Sequence, residues 1–141
     1  MGYAVIEPTI AFREALGAHL ASDLAVAALV DPENIRAGDF APDELPAILF
    51  GAGNVMMHGR GSGAQFVATV FMDLHIWALE PGLDTAQTIG ATVARRLMDW
   101  PFCDGFNLDQ FKHTRTVWPR DPNPDYGHGV MSVEAVIRWS I

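Results

Sequence analysis

The residues best suited to chemistry sit in one short run, Asp73-Leu74-His75. Side chains of an extended chain alternate between faces, so positions 73 and 75 share one. A carboxylate and an imidazole converging there could hold a divalent transition ion. His113 and His128 could join them if the last two strands pack alongside. A small metal-dependent enzyme built on Asp73, His75, His113 and His128 is therefore one reading of the chain. Against it, no tight two-histidine spacing such as HExxH occurs, and the same residues suit the solvated face of a half-buried strand. Ser62 lacks a GxSxG frame, and its setting, Gly61-Ser62-Gly63, has none of the strand-turn-helix context of a nucleophile elbow. Gly51, Gly53, Gly59, Gly61 and Gly63 fit neither GxGxxG, since position 56 is Met, nor GxxxxGK[ST]. They also lead into a strand, so no helix N-terminus is available for phosphate. The single cysteine, Cys103, excludes an internal disulfide framework and any CxxC zinc site, and beside Phe102 it reads as a small buried side chain. No catalytic, cofactor-binding or metal-ligating residue is assigned on these grounds.

The elements that must position these side chains follow from periodicity. Phe12, Leu16 and Leu20, with Ala15 and His19 beside them, put one apolar stripe on a helix from about Thr9 to Ala21, entered through Pro8. Ser22-Asp23 offers a fresh N-cap for a short helix from Leu24 to Val30, and Asp31-Pro32 stops it. Residues 31–46 form an irregular connection with a brief strand around Asn34-Ile35-Arg36. Ala47-Ile48-Leu49-Phe50 reads as a strand that can continue to Met57, followed by a flexible Gly59–Gly63 loop. A long strand runs from Gln65 to about Leu79. One face of it (Phe66, Ala68, Val70, Met72, Leu74, Ile76) is wholly apolar. The other carries Val67, Thr69, Phe71, Asp73, His75 and Trp77, leaving Phe71 and Trp77 exposed unless something covers them. Such a length, well beyond the usual ~5–6 residues, suits a strand that projects from its domain.

Pro81-Gly82 turns the chain into a helix capped by Asp84, with Gln87 at the capping-box position, running to about Trp100 before Pro101. Its buried stripe is Ile89, Val93 and Leu97, and Arg95 and Arg96 suit its C-terminal half. A closing hairpin pairs Phe111–Trp118 with His128–Ile141 across a rigid loop holding Pro119, Pro122 and Pro124. In the last strand Met131, Val133, Ala135, Ile137, Trp139 and Ile141 face inward. The order predicts one α+β domain spanning 1–141: a mainly antiparallel sheet of four to five strands with helices packed on one face.

Composition narrows the function classes. The chain has 141 residues, half of them hydrophobic, with 9 Lys plus Arg against 17 Asp plus Glu and a net charge of −8. That balance argues against a free-standing nucleic-acid binder and against adsorption to an anionic membrane. Low charge with positive mean hydropathy leaves more apolar surface than a small monomer can hide, which points to an obligate assembly partner. No run reaches the ~20 apolar residues of a membrane span, and the N-terminus lacks a basic n-region, so synthesis is expected in the cytoplasm. Gly2 opens no myristoylation motif, because position 6 is Ile.

A helix ending in Leu24–Val30, the segment Leu45–Gly51, and the strand end Asp73-Leu74-His75-Ile76-Trp77-Ala78 form a distributed pattern. It continues through the helix Ala86–Leu97 and a hairpin with Arg115 to Asp121 before His128-Gly129-Val130. This pattern resembles the tail terminator, or tail completion, proteins of long-tailed phages and of phage-derived gene transfer agents. The resemblance implies a structural virion protein and no enzyme: a hexameric ring on the last tail-tube ring. That ring stops polymerisation and joins the tail to a head-side connector or stopper protein. It implies no cofactor. It also implies synthesis in the bacterial cytoplasm and assembly at the head–tail junction. Another head–tail connector or a tail-tube component is the alternative within the same class.

A ring subunit needs lateral surfaces and segments that reach its neighbours. By residue type and setting, the interface candidates are Met56, Met57, His58 and Arg60 beside the glycine loop, and Trp77, Trp118, Arg120 and Tyr126 near strand ends. If DNA passes through the ring, acidic residues facing the bore would let it slide without specific binding.

Overall fold

The computed structural model describes residues 5–38, 42–79 and 83–140. The expected Pro81-Gly82 turn and the inward-facing Ile141 lie outside the described residues. Helix α1 (Pro8–Ala21) buries Phe12, Leu16, His19 and Leu20, the predicted stripe. Its cap is unusual: the Glu7 carboxylate accepts from the Ile10 N–H at 2.7 Å. Helix α2 (Leu24–Leu29) is capped by Asp23, which accepts from the Val26 N–H. A single 3-10 turn, Pro32–Asn34, leads into β1 (Ile35–Ala37).

Strand β2 (Ala47–Phe50) is buried at all four positions. The expected continuation to Met57 does not occur. Gly51, Ala52 and Gly53 break the run, and β3 (Asn54–Gly61) begins as a separate strand. Gly53 takes φ +77°, and a Cβ there would lie 2.9 Å from the Phe71 carbonyl oxygen, so only glycine fits the step. The Gly59–Gly63 loop is likewise corrected: Gly59, Arg60 and Gly61 pair within β3, and the turn is confined to residues 62–64. Their backbone amides serve a ladder, which glycine permits even while weakening the strand.

Strand β4 (Gln65–Leu79) has the predicted limits. It does not project alone, because β6 (Tyr126–Ser140) pairs antiparallel with it along its whole length, from Gln65 opposite Ser140 to Leu79 opposite Tyr126. Helix α3 (Asp84–Arg96) ends four residues before the expected limit, with turns over 97–99 ahead of Pro101. Leu83 occupies the cap, with no side-chain hydrogen bond, and Asp84 is instead the first helical residue, where its charge favours the positive helix end. Strand β5 (Asn107–Val117) starts earlier than Phe111 and pairs with β6 through two register irregularities.

The sheet order is β1-β2-β4-β6-β5, with β3 also on β4. Only β1 and β2 run parallel. The count is six strands, one above the expected range, because residues 47–57 supply two. Both of these line the same edge of β4: β3 along residues 65–71 and β2 along 74–77. The helices cover one face. Their core is Phe12, Leu16, Leu20, Ile89 and Val93 against Val70, Leu74, Ile76, Met131, Val133 and Ile137. Helices α1 and α3 are tied by reciprocal bonds: Arg96 Nε donates to the His19 carbonyl at 2.9 Å, and His19 Nε2 donates to the Arg96 carbonyl at 3.0 Å. A second, small core of Ala47, Leu49 and Trp77, flanked by Leu45 and Tyr126, sits on the opposite face.

Candidate interaction surfaces

The topology fixes two ends of the sheet. The turn between β3 and β4, the C-terminus of β6 and the start of β5 share one end. The β5–β6 loop and the C-terminus of β4 share the other. The interface candidates fall into two groups accordingly.

At the first end, β3 is an exposed arm. It pairs only with β4, and its first seven residues are all exposed. Met56 lies opposite Thr69 and Met57 opposite Ala68, so the two methionines face opposite sides of the sheet, at 53% and 51% exposure. Val55 is exposed beside them. The register shifts between Met57 and Gly59, which makes His58 the bulged residue. Its Nε2 hydrogen-bonds the Thr69 hydroxyl at 2.6 Å. Arg60, opposite Phe66, is exposed near the tip.

At the second end, Trp118, Arg120 and Tyr126 come together around an open groove of about 560 Å³, completed by Leu83 and by Pro119, Pro122 and Pro124. The loop holds its own shape. The Asp121 carboxylate accepts from the Asn123 N–H at 2.8 Å, and the Asn123 side chain from the Asp125 N–H at 3.0 Å. Trp118 does not stand free there. Its ring lies over Gly129 of β6 and Gly90 of α3, where a Cβ would come within 2.4 and 2.8 Å. Trp77 is 5% exposed. It is covered by His128, whose ring stacks on it at 3.8 Å and 6°, and by the edge of Tyr126. Its Nε1–H has no partner among the described residues.

The four residues of the metal reading do not converge. His113 lies opposite Val133, on the helix-covered face, and bonds the Thr116 hydroxyl at 2.8 Å. Asp73, His75 and His128 lie on the other face, and the Asp73 carboxylate accepts from the Ser132 hydroxyl at 2.7 Å. His75 and His128 do meet: Nδ1 and Nε2 are 3.0 Å apart in an N–H···N hydrogen bond. Burial holds the His128 pKa below the usual imidazole value, the His75 ring adds to this, and Asp121 opposes it. Burial raises the Cys103 pKa, in keeping with an inert thiol.

One surface escaped the sequence reading. Met98, Trp100 and Phe102 are exposed at 81%, 51% and 85% just beyond α3. Their alternation in Met98-Asp99-Trp100-Pro101-Phe102 was the available signal. It was hidden by extending the helix through Trp100.

The family model described as tail completion protein gp17 matches residues 14–138. The chain belongs to the tail completion protein gp17 family. Its members are structural proteins of phage-type tails, and the resemblance drawn from the distributed pattern is borne out. The fold also matches a solved chain from a structure titled "Virion of native gene transfer agent (GTA) particle". The TM-score is 0.79 at 18% identity, covering 94% of this chain and 99% of that one. No curated protein sequence matches. Among the described residues of this tail completion protein, no helix is long and apolar enough to cross a membrane.

Proposed function

We propose that this tail completion protein forms a ring on the end of the tail tube, stops tube growth and offers the joining surface to the head or its connector. Family membership over residues 14–138 carries the reading. The likeness to a chain of a gene transfer agent virion supports a place in such a particle. The exposed β3 arm supports the ring: Val55, Met56 and Met57 are apolar, adaptable side chains left in water by a chain with a substantial core. Met56, Met57, His58 and Arg60 are assigned to the contact with the neighbouring copy. The groove of Trp118, Arg120 and Tyr126 is assigned to the opposite docking face, with Trp77 as its buried support. The hexameric count comes from the family resemblance. Assembly follows synthesis in the bacterial cytoplasm and occurs at the head–tail junction.

The test uses purified protein and purified tail tubes. Light scattering should find a closed ring, and electron microscopy should find that ring on one end of each tube, blocking addition of tube subunits. Unlimited tube growth from the pure protein would instead assign it as a tube component. A monomer that leaves tubes unchanged would contradict both.

A further inference from the structure

We infer that His75 and His128 form a bidentate site for a borderline divalent transition ion, with zinc as the reference case. The two residues sit on neighbouring strands, diagonal to one another: His75 lies opposite Val130, and His128 opposite Trp77. Their ring planes are nearly parallel, 19° apart with centroids 5.2 Å apart, and the facing nitrogens are 3.0 Å apart in the hydrogen bond. A tetrahedral zinc with bonds of about 2.0–2.1 Å separates two of its nitrogens by about 3.3 Å. Widening the present gap by a few tenths of an ångström and tilting the His75 ring, with His128 held against Trp77, therefore admits the ion. Imidazole is a ligand suited to zinc, copper and nickel.

Three surroundings favour the exchange. The stack on Trp77 fixes the plane of His128, which lowers the ordering cost of binding. Carboxylates stand near both rings: Asp121 acts electrostatically on His128, where burial outweighs it, and Asp73 lies two residues from His75 on the same face. His75, though not His128, also lines an open depression of about 240 Å³ with Asn54, Asp73 and Gly51–Gly53, which gives water access to the coordination positions on the His75 side. Among the described residues no third His, Cys, Asp or Glu completes a ligand set, so water fills those positions. In the metal-free pair one ring donates and the other accepts. When both rings are neutral, the donor moves its proton to its other ring nitrogen as the ion enters, with no net proton released.

The test is zinc titration of the full, untagged chain by calorimetry, with copper bound to the same chain read by electron paramagnetic resonance. One zinc per chain is expected, half-saturated below about 100 µM. His75→Gln and His128→Gln should each weaken binding at least about tenfold, while His113→Gln leaves it unchanged. The copper spectrum should carry coupling to two imidazole nitrogens. It reads the unaltered chain, so it stands even if His128→Gln disturbs the fold. No binding up to millimolar zinc, binding unaffected by His75→Gln, or copper coupled to fewer than two nitrogens would overturn the site. The pair would then be a hydrogen bond only.

Discussion

Trp118 and the two glycines beneath it form a single packing unit. The indole closes the second end of the sheet only because Gly129 and Gly90 lack a Cβ. Gly129→Ala places a methyl 2.4 Å from the ring and should destabilise the protein by about 1–3 kcal/mol, read from the urea midpoint. A change below about 0.5 kcal/mol would mean the ring moves aside freely. Glu7 supplies a second residue-scale prediction. Burial, the largest single cause, raises its pKa, but the Ile10 and Thr9 hydrogen bonds and Arg13 together outweigh it, and the net shift is downward. A lowered carboxyl pKa gives stability that is present above the unfolded value, about 4.3, and lost as the pH falls through the folded one. Glu7→Gln keeps an acceptor but removes the charge from an exposed helix start, so it should cost about 0.3–1 kcal/mol at pH 7, and the cost should vanish at pH 2–3, measured by thermal melts. An equal cost at both pH values would place the effect outside the cap. The identities of these residues were readable in the sequence, but their roles were not. Trp118 looks like an interface aromatic by type alone, and the glycines that receive it are 28 residues apart at one position and 11 at the other along the chain.

Among the elements, β4, β6 and α1 were legible because each carries an unbroken apolar period, and α2 because the Ser22-Asp23 cap and the Asp31-Pro32 stop bound it. Phe12, Leu16 and Leu20 admit one helix face, and Met131 to Trp139 admit one strand face. The division of residues 47–61 was not legible. Gly51-Ala52-Gly53 is as compatible with extension as with a break. The choice is made by β4, whose length accepts β2 and β3 in succession, with the Gly51 N–H bonding the Asp73 carbonyl at the gap. The end of α3 was missed because Arg95 to Trp100 holds no breaker, and Pro101 acts several residues upstream of itself only through the turn at 97–99. At this scale the β3 arm gives a clean prediction. Met56→Ser with Met57→Ser removes side chains that are about half in water, so thermal stability of the subunit should stay within about 1 kcal/mol. Assembly should weaken at least tenfold by mass photometry. Unchanged assembly would remove the arm from the subunit contact.

For the whole molecule, sequence and fold meet in the excess of apolar surface. It resolves into places: the β3 arm, the proline-rim groove, and the Met98-Trp100-Phe102 segment that periodicity alone had hidden in a helix. The acidic balance of 9 basic against 17 acidic residues then bears on the bore of the proposed ring. If six copies form it, they multiply the charge of −8, and like-charge repulsion would keep a passing DNA from adhering. Purified rings should therefore leave DNA mobility unchanged at low salt, whereas retardation that fades with added salt would require a basic bore. The central claim, that this chain ends the tail tube and joins it to the head, is tested most directly by electron microscopy of particles assembled without it. The account predicts tails of abnormal, variable length that carry no heads. Tails of normal length attached to heads would contradict it.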